Sequence, residues 1–284
     1  MRRADVDINT KGPYDGRPPM PIIKEPQLRD RVAMLERPRG MPVMHQSWDK
    51  VLFMHWKVPL DAIREKIPSR LEVDTYDNSA WVTVTPLDIF DVRPPLLPAL
   101  PYFSRFHELN VRTYVHRDGV PGVWFFSLDA NSYSAVGGAR FFFELPYVYA
   151  NMSLIELGED LVFESQRQSE GPGKFTCTWR VGRPRVRAEP GTLDFFLVER
   201  YCLYTSSGKD LYRCRIHHQP WPLFECDGLT EFQSTMLEAN GLPELREDPL
   251  LHCGGPVYVD VWGLERTYNL RTTAGEHRRN RDGY

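Results

Sequence analysis

The feature that most constrains this chain is a series of short runs with a period of two. Trp81–Thr85 (WVTVT), His107–Val115 (HELNVRTYV), Val123–Ala130 (VWFFSLDA), Lys174–Val181 (KFTCTWRV) and Val257–Trp262 (VYVDVW) all alternate, and all are rich in β-branched or aromatic residues. Successive side chains of a strand point to opposite faces, so each run carries one face toward a core. Wound as helices, the same runs would scatter their apolar residues around the axis. Asp118-Gly119, between two of the runs, has the chemistry of a two-residue hairpin turn. Many strands at short spacing, punctuated by 24 prolines and 20 glycines, predict a mainly β protein with a few helices, an antiparallel sandwich or barrel.

Helical signals are fewer. Pro59–Lys66 (PLDAIREK) has proline at a helix start, and Asp194–Leu203 and Thr230–Asn240 also read as helical, the latter stopped by Gly241. Residues 25–37 hold one short helical stretch, and Gly137-Gly138 reads as a tight turn ahead of a helix. Arg93–Pro101, with four prolines, reads as an extended loop. The expected organisation is a Pro-rich extension over 1–40, a single barrel domain over 41–265 and a polar, flexible tail over 266–284.

Composition excludes several classes. The 284 residues carry 38 acids against 35 bases, a net charge of -3, so bulk electrostatic binding to nucleic acid is not expected. No apolar run reaches about 18 residues and no secretory h-region opens the chain, so the expectation is a cytoplasmic protein with no membrane partner. Five widely spaced cysteines with no CxxC predict reduced thiols. GxSxG, GxxxxGK[ST] and GxGxxG are all absent, and the histidines lack ligand spacing, so neither a metal nor a cofactor is expected. A homo-oligomer is compatible with the sequence.

The chemistry-bearing segment is Glu108-Leu-Asn-Val-Arg112. Period two sets Glu108, Asn110 and Arg112 on one face, spaced by about 6.8 Å along the strand. If that face lines a pocket, the row orients a carboxylate or carbonyl group. If it faces solvent, the row is a cross-strand ion pair. Arg140, flanked by Ala139 and three phenylalanines, is expected to be paired and out of solvent. Trp221 reads as an aromatic wall or as plain core, and the adjacent His217 and His218 point to opposite faces of a strand.

These segments carry a resemblance. SWDKVLFMHWKVP (47–59), FHELNVRTYV (106–115), GVWFFSLDA (122–130), ARFFFELPYVYANM (139–152), ERYCLYT (199–205) and IHHQPWPL (216–223) resemble the YqjF-like family of uncharacterised bacterial proteins, over roughly residues 44–265. That family is grouped with the acetoacetate-decarboxylase-like superfamily, which implies an antiparallel, cone-shaped β-barrel. The decarboxylases act through a Schiff-base lysine after a Phe-Pro step. Here the similar stretch is Leu145-Pro146-Tyr147-Val148, with Tyr and Val where two lysines would stand. From Asp61 to Glu265 the chain has only Lys66, Lys174 and Lys209, none in that context. The resemblance therefore implies the pocket without the imine chemistry. It places Glu108 at a family glutamate, with Arg112, Arg140, Tyr147, Tyr149 and Asn110 as ligand-binding candidates.

Three functions follow from this reading. One is a binding protein for a small carboxylate- or carbonyl-containing molecule. Another is a small-molecule enzyme using Glu108 as general acid or base, and the third is a protein-interaction module. A Glu108 of raised pKa favours the enzyme, a dry apolar pocket the binding protein, and a filled barrel the interaction module.

Overall fold

The structure, a computed structural model, describes residues 24–100, 104–168, 171–245 and 247–267. The chain opens with α1 (Leu28–Ala33), β1 (Met44–Asp49), β2 (Val51–Val58), α2 (Leu60–Arg64) and β3 (Glu72–Val73). Three long strands follow, β4 (Ala80–Arg93), β5 (Phe106–Arg117) and β6 (Val120–Ala130), then α3 (Tyr133–Phe143). Next come β7 (Tyr147–Leu157), β8 (Asp160–Arg167), β9 (Lys174–Pro184), α4 (Leu193–Val198), β10 (Cys202–Ser207) and β11 (Asp210–His217). The last elements are β12 (Leu223–Ser234), α5 (Met236–Ala239), β13 (Leu250–Gly254), β14 (Val257–Val261) and β15 (Glu265–Arg266).

The strand pairings close two rings. One runs β1-β14-β11-β10-β6-β5-β4 and back to β1. The other runs β4-β5-β6-β7-β8-β9-β12-β13-β2 and back to β4. Strands β4, β5 and β6 belong to both and form a common wall. Closure leaves few free edges, which is how a large β protein avoids edge-to-edge association. The sheet is mixed rather than wholly antiparallel, because β6 pairs β7 and β10 in parallel. Helix α3 is the crossover that lets β7 leave in the direction of β6.

A wall between two rings has no wet face, and the burial of β5 runs through both of its sides. Leu109, Val111 and Val115 face one way and join Leu52, Met54, Val82 and Val84 in a core closed by Phe163, Phe175 and Trp179. Burying each such large apolar side chain contributes roughly 1.5–3 kcal/mol. Glu108, Asn110, Arg112 and Tyr114 face the other ring, with Phe53, Leu87, Ile89 and Phe106.

The hairpin at Asp118-Gly119 forms as expected, with φ of 51° and 81°, the pair of positive angles a type I′ turn needs. Other local expectations change. Gly137-Gly138 lie inside α3, not in a turn before it. Ser132 caps that helix by accepting from the Ala135 N–H, and Glu144 ends it in the left-handed region. The helix expected over Asp194–Leu203 stops at Val198, and Cys202 already begins β10. Of Thr230–Asn240, residues up to Ser234 belong to β12, held by pairing with β9, and only one helical turn remains. In both places strand pairing overrides local propensity.

Segment 24–40 packs on the barrel. Arg31 of α1 makes a bidentate pair with the buried Asp74 at 2.6 and 2.7 Å, and Met34 is buried. Strand β15 pairs β11, and the tail from 268 onward lies outside the described residues. The five cysteines are free thiols. Among the described residues no helix is long and apolar enough to cross a membrane.

Candidate functional site

The first ring is not filled. It encloses a cavity of about 320 Å3, whose walls are mostly apolar and include Trp48, Phe53, Leu87, Phe125, Phe143 and Trp221. Residues of α3 lie along one side of it. Polar side chains interrupt this lining, among them Glu108, Asn110, Arg112, Tyr147, Arg200 and His218.

Glu108, Asn110 and Arg112 come from β5, where the alternation places them on the cavity side of the wall. Tyr147 begins β7, just after the α3 crossover, and pairs in register with Leu128 of β6. Its hydroxyl donates to Glu108 Oε2 at 2.5 Å, and Asn110 Nδ2 lies 3.5 Å from Oε1. Burial pushes the Glu108 carboxyl up to about 7. The Tyr147 and Asn110 hydrogen bonds and the Arg112 charge pull it back, and the nearby Asp129 adds to the rise. The same burial, with the Glu108 charge, holds the Tyr147 phenol well above its ordinary range. Glu108 is thus a carboxyl poised between its two protonation states near neutrality.

Arg112 differs from Arg200 and Arg167. Arg200, which also reaches the cavity, is neutralised by Asp74 at 2.7 Å. Arg167 is neutralised by Asp129 at 2.6 Å. Arg112 has no carboxylate partner among the described residues, and its Nε and Nη2 make no hydrogen bond. Its guanidinium carbon sits 5.4 Å from the centre of the Phe53 ring. The neighbouring Tyr114 hydroxyl is committed to Thr83 and to the Leu197 carbonyl. Burial draws the Arg112 pKa down, and the Tyr114 and Glu108 groups hold it up. A guanidinium nonetheless stays charged in a protein.

Arg140 and Tyr149 are not in the cavity. Arg140 is exposed on α3, and its Nε donates to the Tyr147 carbonyl at 2.7 Å. Its phenylalanine flank misleads because Phe141 and Phe142 are themselves largely exposed, at 78% and 69%. Tyr149 is half-buried and stacks on Tyr133, with ring centres 3.8 Å apart, and does not line the cavity.

His218, not among the sequence candidates, lies just past β11 and lines the cavity, while His217 does not. The opposite facing of two adjacent histidines was visible in the sequence, but which one turned inward was not. Trp221 supplies the aromatic wall, with Trp48 stacked beside it at 6.2 Å. No lysine is among the lining residues. Among the described residues no three His, Cys, Asp or Glu side chains are placed to hold a metal ion.

This fold is similar to that of solved acetoacetate-decarboxylase-like proteins. The solved structure of the enduracididine biosynthesis enzyme MppR with pyruvate superposes with a TM-score of 0.57 at 13% identity, over 80% of this chain and 91% of that one. An acetoacetate decarboxylase-like enzyme from Sphingomonas wittichii RW1 gives 0.57 at 11% identity, over 81% and 95%. At such identities the likeness is one of fold. The chain belongs to the family DUF2071, described as an uncharacterised conserved protein, whose pattern matches residues 45–257. It is 40% identical over 229 residues to the uncharacterised protein YqjF of Bacillus subtilis strain 168, covering 81% of this chain and 94% of that protein.

Proposed function

We propose that the hollow ring binds a small molecule with a carboxylate at one end and an apolar body, and does so without Schiff-base chemistry. The observation that carries this reading is Arg112. An uncompensated charge costs several kcal/mol to hold inside a protein. A chain that keeps one in a mostly apolar cavity keeps it for a ligand that neutralises it, and a carboxylate matches the guanidinium fork. The apolar walls fit the rest of such a ligand. The lining has no amine to form an imine with a carbonyl.

A second reading is favoured by one feature, the Glu108 carboxyl held up at about 7 and bonded to Tyr147. A carboxyl at that value gives or takes a proton near neutral pH, so the bound molecule is also placed for general acid–base chemistry. Binding and proton transfer are compatible, and the first is required for the second.

Replacing Arg112 by Met separates a ligand cation from a merely structural one. With 3-phenylpropionate as the probe, calorimetry is expected to show binding to the wild type and a loss of about 10- to 150-fold in R112M, the value of hydrogen bonds to a charged group. The ligand-free variant is expected to be more stable than the wild type, by about 1–3 kcal/mol, because a lone buried charge has been removed. Unchanged affinity, or a variant that is strongly destabilised, defeats the proposal.

A further inference from the structure

His218 is held in one orientation and one tautomer. Its ring is stacked on Tyr201 at 4.7 Å and tilted against Trp221 at 5.0 Å. Nδ1 lies 2.7 Å from the Gln219 carbonyl oxygen. A carbonyl only accepts, so the proton is on Nδ1, and Nε2 keeps a free lone pair. Burial, the first cause, and the Arg112 and His217 charges bring the ring down to about 4, so it is neutral at pH 7. Nε2 makes no hydrogen bond to the described residues, and the residue lines the cavity. Besides the Arg112 cation, which needs an anion, and the His218 nitrogen, which needs a donor, the lining leaves Asn110 Oδ1, Thr85 Oγ1 and Arg200 Nη2 without partners. Of the acceptors, the imidazole nitrogen is the one whose ring is fixed by contact with both Tyr201 and Trp221.

We infer that His218 is a specificity-determining acceptor, and that the molecule bound in this cavity is an apolar carboxylic acid bearing a hydroxyl that donates to His218 Nε2. This rests on the carboxylate-binding reading of Arg112. A neutral donor is required because an ammonium group would add a second cation to a low-dielectric space that already holds Arg112. Size narrows the class further. A cavity of about 320 Å3 lies at the small end of ligand pockets, which run from about 300 to 1,000 Å3, and so suits a small organic acid. A site built to accept from a hydroxyl discriminates against the analogue lacking it, because the buried acceptor is then left unpaired.

Three acids of that size test the inference by calorimetry: 3-phenylpropionate, 3-phenyllactate and 3-hydroxy-3-phenylpropionate. The wild type is expected to bind at least one hydroxy acid about tenfold tighter than 3-phenylpropionate. His218→Phe, which keeps the stacking, is expected to abolish that preference. In the wild-type protein, nitrogen NMR of the histidines is expected to show the Nδ1–H tautomer at His218 and a shift of Nε2 on adding the preferred hydroxy acid only. This second measurement stands if the variant does not fold. Equal binding of all three acids, a preference that survives His218→Phe, or an Nε2 signal unmoved by the hydroxy acids overturns the role of His218 and leaves the carboxylate reading intact. Failure of every acid, 3-phenylpropionate included, overturns the carboxylate reading and this inference with it.

Discussion

At the scale of the residue, Glu108 shows how burial sets chemistry. A free glutamate titrates near 4.5, and in the folded chain this one titrates near 7. Between those values the unfolded chain has released a proton that the folded chain still holds. Stability therefore falls as the pH rises through this window, by about 3 kcal/mol in all. Denaturant unfolding at pH 4.5 and pH 8 is expected to show that loss in the wild type and to lack it in Glu108→Gln, which cannot ionise. A variant with the same slope as the wild type would assign the titration to another group. The row that holds Glu108 was legible in the sequence, since period two put it beside Asn110 and Arg112. Its pKa was not, because desolvation depends on what stands across the cavity.

At the scale of the element, Asp74 does the joining. It accepts from Arg31 on α1 and from Arg200 just ahead of β10, so one carboxylate ties the N-terminal segment to the hollow ring. Burial alone would raise its pKa, but the Arg200 and Arg31 charges outweigh burial and hold it below the ordinary value. Its contribution is thus present at neutral pH and is lost as the pH falls through that lowered pKa. Asp74→Asn leaves Arg200 buried without its counter-ion. It is expected to cost about 3–5 kcal/mol, roughly 6–20 °C in thermal midpoint. Arg31→Met, at a half-buried partner, is expected to cost less. Calorimetric melts of both variants check the order, and a reversed order would show that α1 is not pinned through Asp74. Elements with strong periodicity, β4 to β6 above all, were readable beforehand. Thr230–Asn240 was not, because its local helical signal loses to pairing with β9.

At the scale of the whole molecule, the two rings divide the work. One is filled with side chains, and the other encloses the cavity for which a ligand is proposed. The absence of lysine from the hollow ring gives a chemical expectation. Borohydride reduction in the presence of acetoacetate is expected to leave no covalent adduct on the protein. Mass spectrometry that located a stable adduct on Lys174 or Lys209 would contradict the proposed chemistry.

The sequence by itself determined that the chain is strand-rich, where its tight hairpin falls, and which side chains of β5 lie together. Those are local properties, set by backbone geometry and a two-residue period. The tertiary structure alone decided that both faces of β5 are buried, that Arg140 and Tyr149 lie outside the cavity, and that His218 rather than His217 lines it. Periodicity fixes which residues share a face. What is packed against that face, a second ring, solvent or an empty space, depends on strands distant in sequence, and so the chemistry of the site appears only when the rings close.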